Sequence, residues 1–242
     1  EEHGILASDH QFHLSAVYPE RVYCVQYDES DLHFIQRLCE EEGIHYHFQH
    51  SSSGHTLVFG DDQTVFPKLS PVAYQQDNGL VADTPVIKRF ELRLTTRTSR
   101  TTRRDYDFTK PRIELESDTK SDAQPDLEDY DYPGRFTDRQ RGKHLANRAL
   151  ERHRSDYRLA EGRSDQPLLV SGHFLSLTEH TNAAWNDLWL LTEIVHEGKQ
   201  PQVLEESVTS DTTDLKDDFH QGYRNRFTAC LLYTSDAADE ED

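Results

Sequence analysis

Histidine offers the first candidate chemistry. His45 and His47 lie two apart in a segment of period two, with His50 and His55 close by across Ser51-Ser52-Ser53-Gly54. Two imidazoles on one side of a strand can ligate zinc or copper, which would suit a metal-dependent hydrolase. No carboxylate stands at a ligand spacing, however, and neither a His-Glu-x-x-His run nor paired cysteines occur. The expectation is therefore solvent-facing or interface histidines beside a hairpin, with no metal site. Cys24, Cys39 and Cys230 form no metal spacing either, and their odd number argues against a disulfide framework and for a reducing compartment.

Two charged runs come next. Lys88, Arg89, Arg93, Arg97, Arg100, Arg103 and Arg104 place seven cations in seventeen residues, opposed only by Glu91. A nucleic-acid groove would interleave such cations with stacking aromatics. Here Phe90 alternates with leucines on the opposite side, so the stripe is expected to pair with the chain's own acids or a neighbouring subunit's. Residues 114–131 hold eight acids and one lysine, with Pro125 inside, and read as a solvated acidic loop. They lack the spacing of a calcium loop. Gly162-Arg163-Ser164-Asp165-Gln166 misses the nucleophile-elbow pattern, and no phosphate loop or dinucleotide fingerprint occurs. No catalytic, cofactor-binding or metal-binding residue is assigned, and no cofactor is expected. The arginine strand and the acidic loop are the candidate assembly contacts.

The elements that carry these residues follow from periodicity. A helix is predicted over Asp31–Glu42, capped by Ser30, stopped by Gly43, with Leu32, Ile35, Leu38 and Cys39 as its buried stripe. Ile44, Tyr46 and Phe48 are expected to point one way and His45, His47 and Gln49 the other, with His55–Phe59 as the returning strand of a hairpin. Residues 61–85 read as loop. A strand is predicted from Val86 to about Arg97, with Phe90, Leu92 and Leu94 on its dry face. A second helix is predicted over 138–161, opened by a Thr137/Gln140 capping box and stopped by Gly162. Leu168–Leu177 and Leu188–His196 read as strands.

Composition limits what these elements can do. The chain has 242 residues, 45 acids against 26 Lys+Arg, a formal charge of −19 and no Met. That charge excludes a general nucleic-acid binder. No stretch approaches the ~18 consecutive apolar residues of an integral membrane segment. The apolar share of 34% is well below the ~45–50% usual for globular domains, so partner subunits are expected to complete the burial.

Residues 23–44, Tyr23-Cys24-Val25-Gln26-Tyr27-Asp28-Glu29-Ser30-Asp31-Leu32 through Glu40-Glu41-Glu42-Gly43-Ile44, resemble the VgrG tail-spike family of type VI secretion systems. Collinear matches follow at Leu57-Val58-Phe59-Gly60-Asp61, Arg104-Asp105-Tyr106-Asp107-Phe108 and Tyr130-Asp131-Tyr132-Pro133-Gly134. Gly162-Arg163-Ser164-Asp165, His196-Glu197-Gly198-Lys199-Gln200-Pro201-Gln202 and Tyr223-Arg224-Asn225-Arg226-Phe227 complete the set.

The resemblance implies an α+β fold: a helix–hairpin module followed by an antiparallel barrel-like β domain of a phage tail hub, incomplete. It implies a homotrimer that docks on the hexameric Hcp tube and helps deliver effector or adaptor proteins. Assembly would be cytoplasmic, followed by secretion through the type VI apparatus. A hub of a phage-like contractile baseplate is the alternative. The division expected along the chain is 1–85 for the helix–hairpin part and 86–229 for the barrel-like part with its acidic loop 114–131 and helix 138–161. Residues 230–242 resemble a translated sequencing adapter and are expected to be a non-native tail. With no Met and part of the hub missing, the chain is expected to be a fragment truncated at both ends.

Overall fold

The computed structural model describes residues 4–21, 23–76, 84–200 and 221–231. In chain order the elements are β1 (His10–His13), α1 (Asp31–Glu42), β2 (His45–Ser51), β3 (Gly54–Gly60), β4 (Val72–Ala73), β5 (Ile87–Leu94), β6 (Arg100–Asp105), β7 (Leu115–Lys120), β8 (Glu128–Asp131), α2 (Arg139–Arg154), β9 (Arg158–Ser164), β10 (Phe174–Thr178), β11 (Leu188–Lys199) and β12 (Gly222–Cys230). The architecture is α+β, mostly strand with two helices. The described residues form two compact units interleaved along the chain, one from 1–65 and 94–158, the other from 66–93 and 159–231. The linear boundary expected at residue 85 falls inside the second unit.

The second unit is a six-stranded sheet in the order β4-β10-β11-β12-β9-β5. Tyr74, just after β4, bridges to Ile87 at the start of β5, and the Gln75 N–H donates to the Ile87 carbonyl at 2.9 Å. The two outermost strands are thereby joined, and the sheet curls back on itself. Its core gathers Ile87, Phe90, Leu175, Leu177, Trp189, Leu191, Phe227 and Ala229. The Trp189 indole N–H donates to the Trp185 carbonyl at 2.9 Å, so its burial leaves no orphan donor. β5 is shorter than predicted, and Leu94 lies exposed where the chain leaves this unit. The predicted strand over Leu168–Leu177 begins only at Phe174, and Leu188–His196 extends to Lys199. Cys230, assigned from sequence to a non-native tail, closes β12 in register with Leu190 and Leu159 and is buried. Residues 232–242 lie outside the described residues.

Helix α2 ends seven residues earlier than the period predicts. Asp138 caps it, its carboxylate accepting from the Arg141 N–H at 2.9 Å, in place of the expected Thr137/Gln140 box. After Ser155 the period switches to two, and Ala160, Gly162 and Ser164 alternate inward along β9. Gly162 is therefore no helix stop. It lies in register with Phe227 on β12, and a Cβ built there would meet the Phe227 ring at 2.1 Å. The glycine is the space that the ring fills.

The first unit holds two three-stranded sheets. In one, β1 runs parallel to β3 and β2–β3 form the predicted hairpin. α1 has the bounds, Ser30 cap and left-handed Gly43 expected of it. The buried stripe differs: Leu32 is 61% exposed, and the one buried residue of α1 is Glu42. The histidines of β2 do not simply face outward either. His47, opposite the fully buried Val58, is itself buried, whereas Phe48 lies largely exposed. Phe48 shares its face with Tyr46, Leu57, Phe59 and Phe12, and Phe12 stacks on Phe59 with centroids 4.9 Å apart. Aromatic rings shielding one another on that side leave the imidazoles the inner one.

The other sheet of this unit, in the order β7-β6-β8, corrects the reading of the acidic run. Residues 114–131 are no solvated loop, because most of them form the two strands that flank the arginine strand, β7 antiparallel to it and β8 parallel. Helix α2 covers one face of this sheet. The Thr101 hydroxyl donates to the Ala146 carbonyl at 2.7 Å, and Leu115, Phe136 and Leu145 form a small apolar core.

Substituting Gly162→Ala tests the barrel packing. Overpacking against Phe227 should cost about 1–3 kcal/mol and lower the melting temperature measured by circular dichroism.

Candidate functional site: the charged strands

The cations from Lys88 to Arg104 each have a carboxylate within their own unit. In the barrel unit, Lys88 pairs with Asp165 at 2.8 Å, Arg89 with Glu91 at 2.7 Å and Arg93 with Glu161 at 3.4 Å. In the other unit, Arg97 pairs with Asp156 at 2.5 Å. Arg100 lies 3.4 Å from Asp126 and 3.6 Å from Glu128, Arg103 pairs with Asp131, and Arg104 lies 3.4 Å from Glu114 and 3.6 Å from Glu116. Five of the acids that the sequence places in a loop therefore neutralise the arginine strand from both sides. Most of these pairs are half-exposed, so each contributes only about 0–1 kcal/mol. Their cooperative effect is to hold both acidic strands in register.

A tighter contact escapes the sequence reading. Glu42, 8% exposed at the end of α1, receives both Arg141 guanidinium nitrogens at 2.5 and 2.7 Å and Arg21 at 2.6 Å. His144 stands 3.7 Å away. Burial alone would push the Glu42 carboxyl upward, but the bonds from Arg141 and Arg21 outweigh it and hold the carboxyl below its usual range. This fork ties α1 to α2. Its signal in the sequence is only the acid triplet Glu40-Glu41-Glu42, which does not mark the third member as the buried one.

The histidines do not converge on a metal centre. His45 and His47 lie side by side with centroids 6.3 Å apart, and burial together with the neighbouring ring pulls His45 down to about 4. Gly60 leaves room for the His45 ring, since a Cβ there would approach its Nε2 to 2.8 Å. Asp61 follows at once, accepting from the Ser15 and Ala16 N–H groups at 2.9 and 2.8 Å and from the Tyr18 hydroxyl at 2.9 Å. Burial opposes these bonds, yet they bring Asp61 down to about 2. Among the described residues no group of three or more His, Cys, Asp or Glu side chains could hold a metal ion. No described helix is long and apolar enough to cross a membrane.

Two further motifs meet on the surface. Arg104-Asp105-Tyr106-Asp107-Phe108 and Tyr130-Asp131-Tyr132-Pro133-Gly134 leave Tyr106, Phe108, Tyr130 and Tyr132 exposed, Phe108 by 82%. Tyr106, Tyr130 and Tyr132 line a cleft of about 480 Å³ with Arg112 and Ile113. Tyr and Phe are among the side chains enriched at protein contacts.

The profile of the phage tail baseplate hub family (GPD) matches residues 1–202. The chain belongs to that family. This hub chain is 71% identical over 234 residues to the type VI secretion system spike protein VgrG4b of Pseudomonas aeruginosa, covering 95% of itself and 29% of that protein. It is 63% identical to VgrG5 of the same organism, again over 95% of itself and 30% of the relative. The hub chain thus spans about three-tenths of the length of the curated relatives it matches. Among solved structures it is similar to an Escherichia coli component of the type VI secretion system described as resembling the T4 tail proteins gp27 and gp5. That match has a TM-score of 0.60 at 18% identity, over 97% of this chain and 46% of the other. At that identity the likeness speaks for the fold.

Glu42→Gln leaves Arg141 without its charge partner, while Arg21 keeps Glu41 at 2.8 Å. Both arginines keep some contact with water, so the loss should fall below the ~3–5 kcal/mol of fully buried pairs, at about 2 kcal/mol. Because the Glu42 carboxyl is held low, its contribution is complete above the ordinary value of 4.5 and disappears as pH falls through the depressed one. Thermal melts should separate the variant from the parent at pH 7 and bring the two together toward pH 3.

Proposed function

We propose that this chain is the hub portion of a type VI secretion spike, a structural part that assembles as a homotrimer. In this reading it seats on the hexameric Hcp tube and helps carry effector or adaptor proteins. It is put together in the cytoplasm and leaves the cell through the type VI apparatus. The observation that carries the reading is the 71% identity with a spike protein over 95% of the chain. The curled β unit and the exposed aromatics of its companion suit a component covered by other subunits. The role proposed is structural and not enzymatic, on the matched family of baseplate hubs and on the two spike proteins VgrG4b and VgrG5. A histidine hydrolase gains no support from the described residues, where no three or more His, Cys, Asp or Glu side chains gather to hold a metal ion.

A second reading, the hub of a phage-like contractile baseplate, has its own support in the matched phage tail family. The two differ in the tube they meet. Hcp hexamers should co-sediment with the intact spike protein, and persistent failure of a trimeric sample to capture them would discard the type VI reading. Capture of a phage-type tube protein instead would favour the baseplate.

A further inference from the structure

Strands β9 and β12 bring two of the recognised motifs side by side on the barrel. Gly162, Ser164, Asn225 and Phe227 turn inward, while Arg163 and Arg226 turn outward and are exposed. Register sets Arg226 directly opposite Arg163. Like charges so placed repel across a sheet, and the neighbouring cations avoid that cost. Lys88, Arg89, Arg93 and Arg224 each have a carboxylate, from Asp165, Glu91, Glu161 and Glu197. Among the described residues, Arg163 and Arg226 form no ion pair as close as these, although, beside the bond from Arg89, the charge of Arg163 reaches Glu91 and helps hold its carboxyl low. Of the three acids lining the groove beside them, Glu91 and Glu161 already serve Arg89 and Arg93, and Glu193 lies opposite Thr228. The groove holds about 370 Å³, with Val195 and the edge of Phe227 as its apolar part.

We propose that the Arg163–Arg226 pair is a docking point for a carboxylate-bearing segment of a second copy of this chain. Two adjacent guanidinium groups offer forked donors that suit a carboxylate, and an entering anion relieves their mutual repulsion. Charge complementarity selects the occupant. With 45 acids against 26 Lys+Arg, every copy has surplus carboxylates and repels every other at long range, so a cationic point without a close ion pair is where two copies can meet. The contact is heterologous, one patch of a copy meeting a different patch of the next, which is the geometry of a closed ring. It rests on the homotrimer reading above.

Sedimentation velocity on the whole chain, across concentration and from 50 to 500 mM salt, tests it. R163Q/R226Q should weaken association about tenfold or more at low salt and flatten its salt dependence, while R163K/R226K should recover most of both. The glutamine variant, freed of a like-charge pair, should melt no lower than the parent. A glutamine variant that associates like the parent overturns the docking point and leaves the trimer standing. Weakened association that the lysine variant does not recover overturns it too, since charge would not be the cause. A parent that stays monomeric at every concentration overturns the docking point, and the same run on the intact spike protein then decides the trimer reading.

Discussion

Seven cations packed into seventeen residues must be neutralised before the chain can close on itself, and the rest of the architecture follows from how this is done. Each unit answers for its own share. In the barrel unit, Glu161 and Asp165 of the β9 region serve Arg93 and Lys88 on β5. In the other, the chain sends one acidic strand to each side of β6. The half-exposed pairs add little energy singly, but they discriminate between registers. A slip of one residue would turn Thr101 and Leu115 away from α2 and break the alignment of Arg100 and Arg104 with the acids beside them.

With the register fixed, a thin core is enough. Among the described residues Leu115, Phe136 and Leu145 form an apolar cluster beneath α2, supplemented by hydroxyl bonds such as Thr101 to Ala146 and by the Glu42–Arg141 fork. Large apolar side chains that a self-sufficient domain would bury lie outside, among them Tyr23, Tyr27, Leu32 and Phe108. The low apolar share of the sequence and the exposed aromatics of the fold express the same fact at two scales.

Local chemistry made much of this legible. The Ser30 cap, the Gly43 stop and the Ser51–Gly54 turn are decided within a few residues, and the structure has them where the sequence places them. Decisions made at long range were not legible. Acidic residues 114–131 look solvated until the arginines they serve, more than twenty residues away for Arg103 and Asp131, are brought alongside. Gly162 has the composition of a helix terminator, and only the Phe227 ring 65 positions later reveals it as a strand position. The direction of β2 stayed open for the same reason, since which face of a hairpin is dry depends on what covers it. Of the candidate assembly contacts, the sequence named the charges and left their partners open.

The place of β12 in its sheet bears on how the protein is made. The strand lies between β9 and β11, both of which leave the ribosome earlier. Until residues 222–230 are synthesised, those two strands have bare hydrogen-bonding edges facing a gap, and Gly162 waits without the ring that covers it. Nascent barrels at this stage are open to pairing with one another, the more so where ribosomes crowd on one message. Surplus negative charge on every chain keeps such half-made molecules apart through that interval. The acidity of the sequence thus has a use during synthesis, before any neighbour is met.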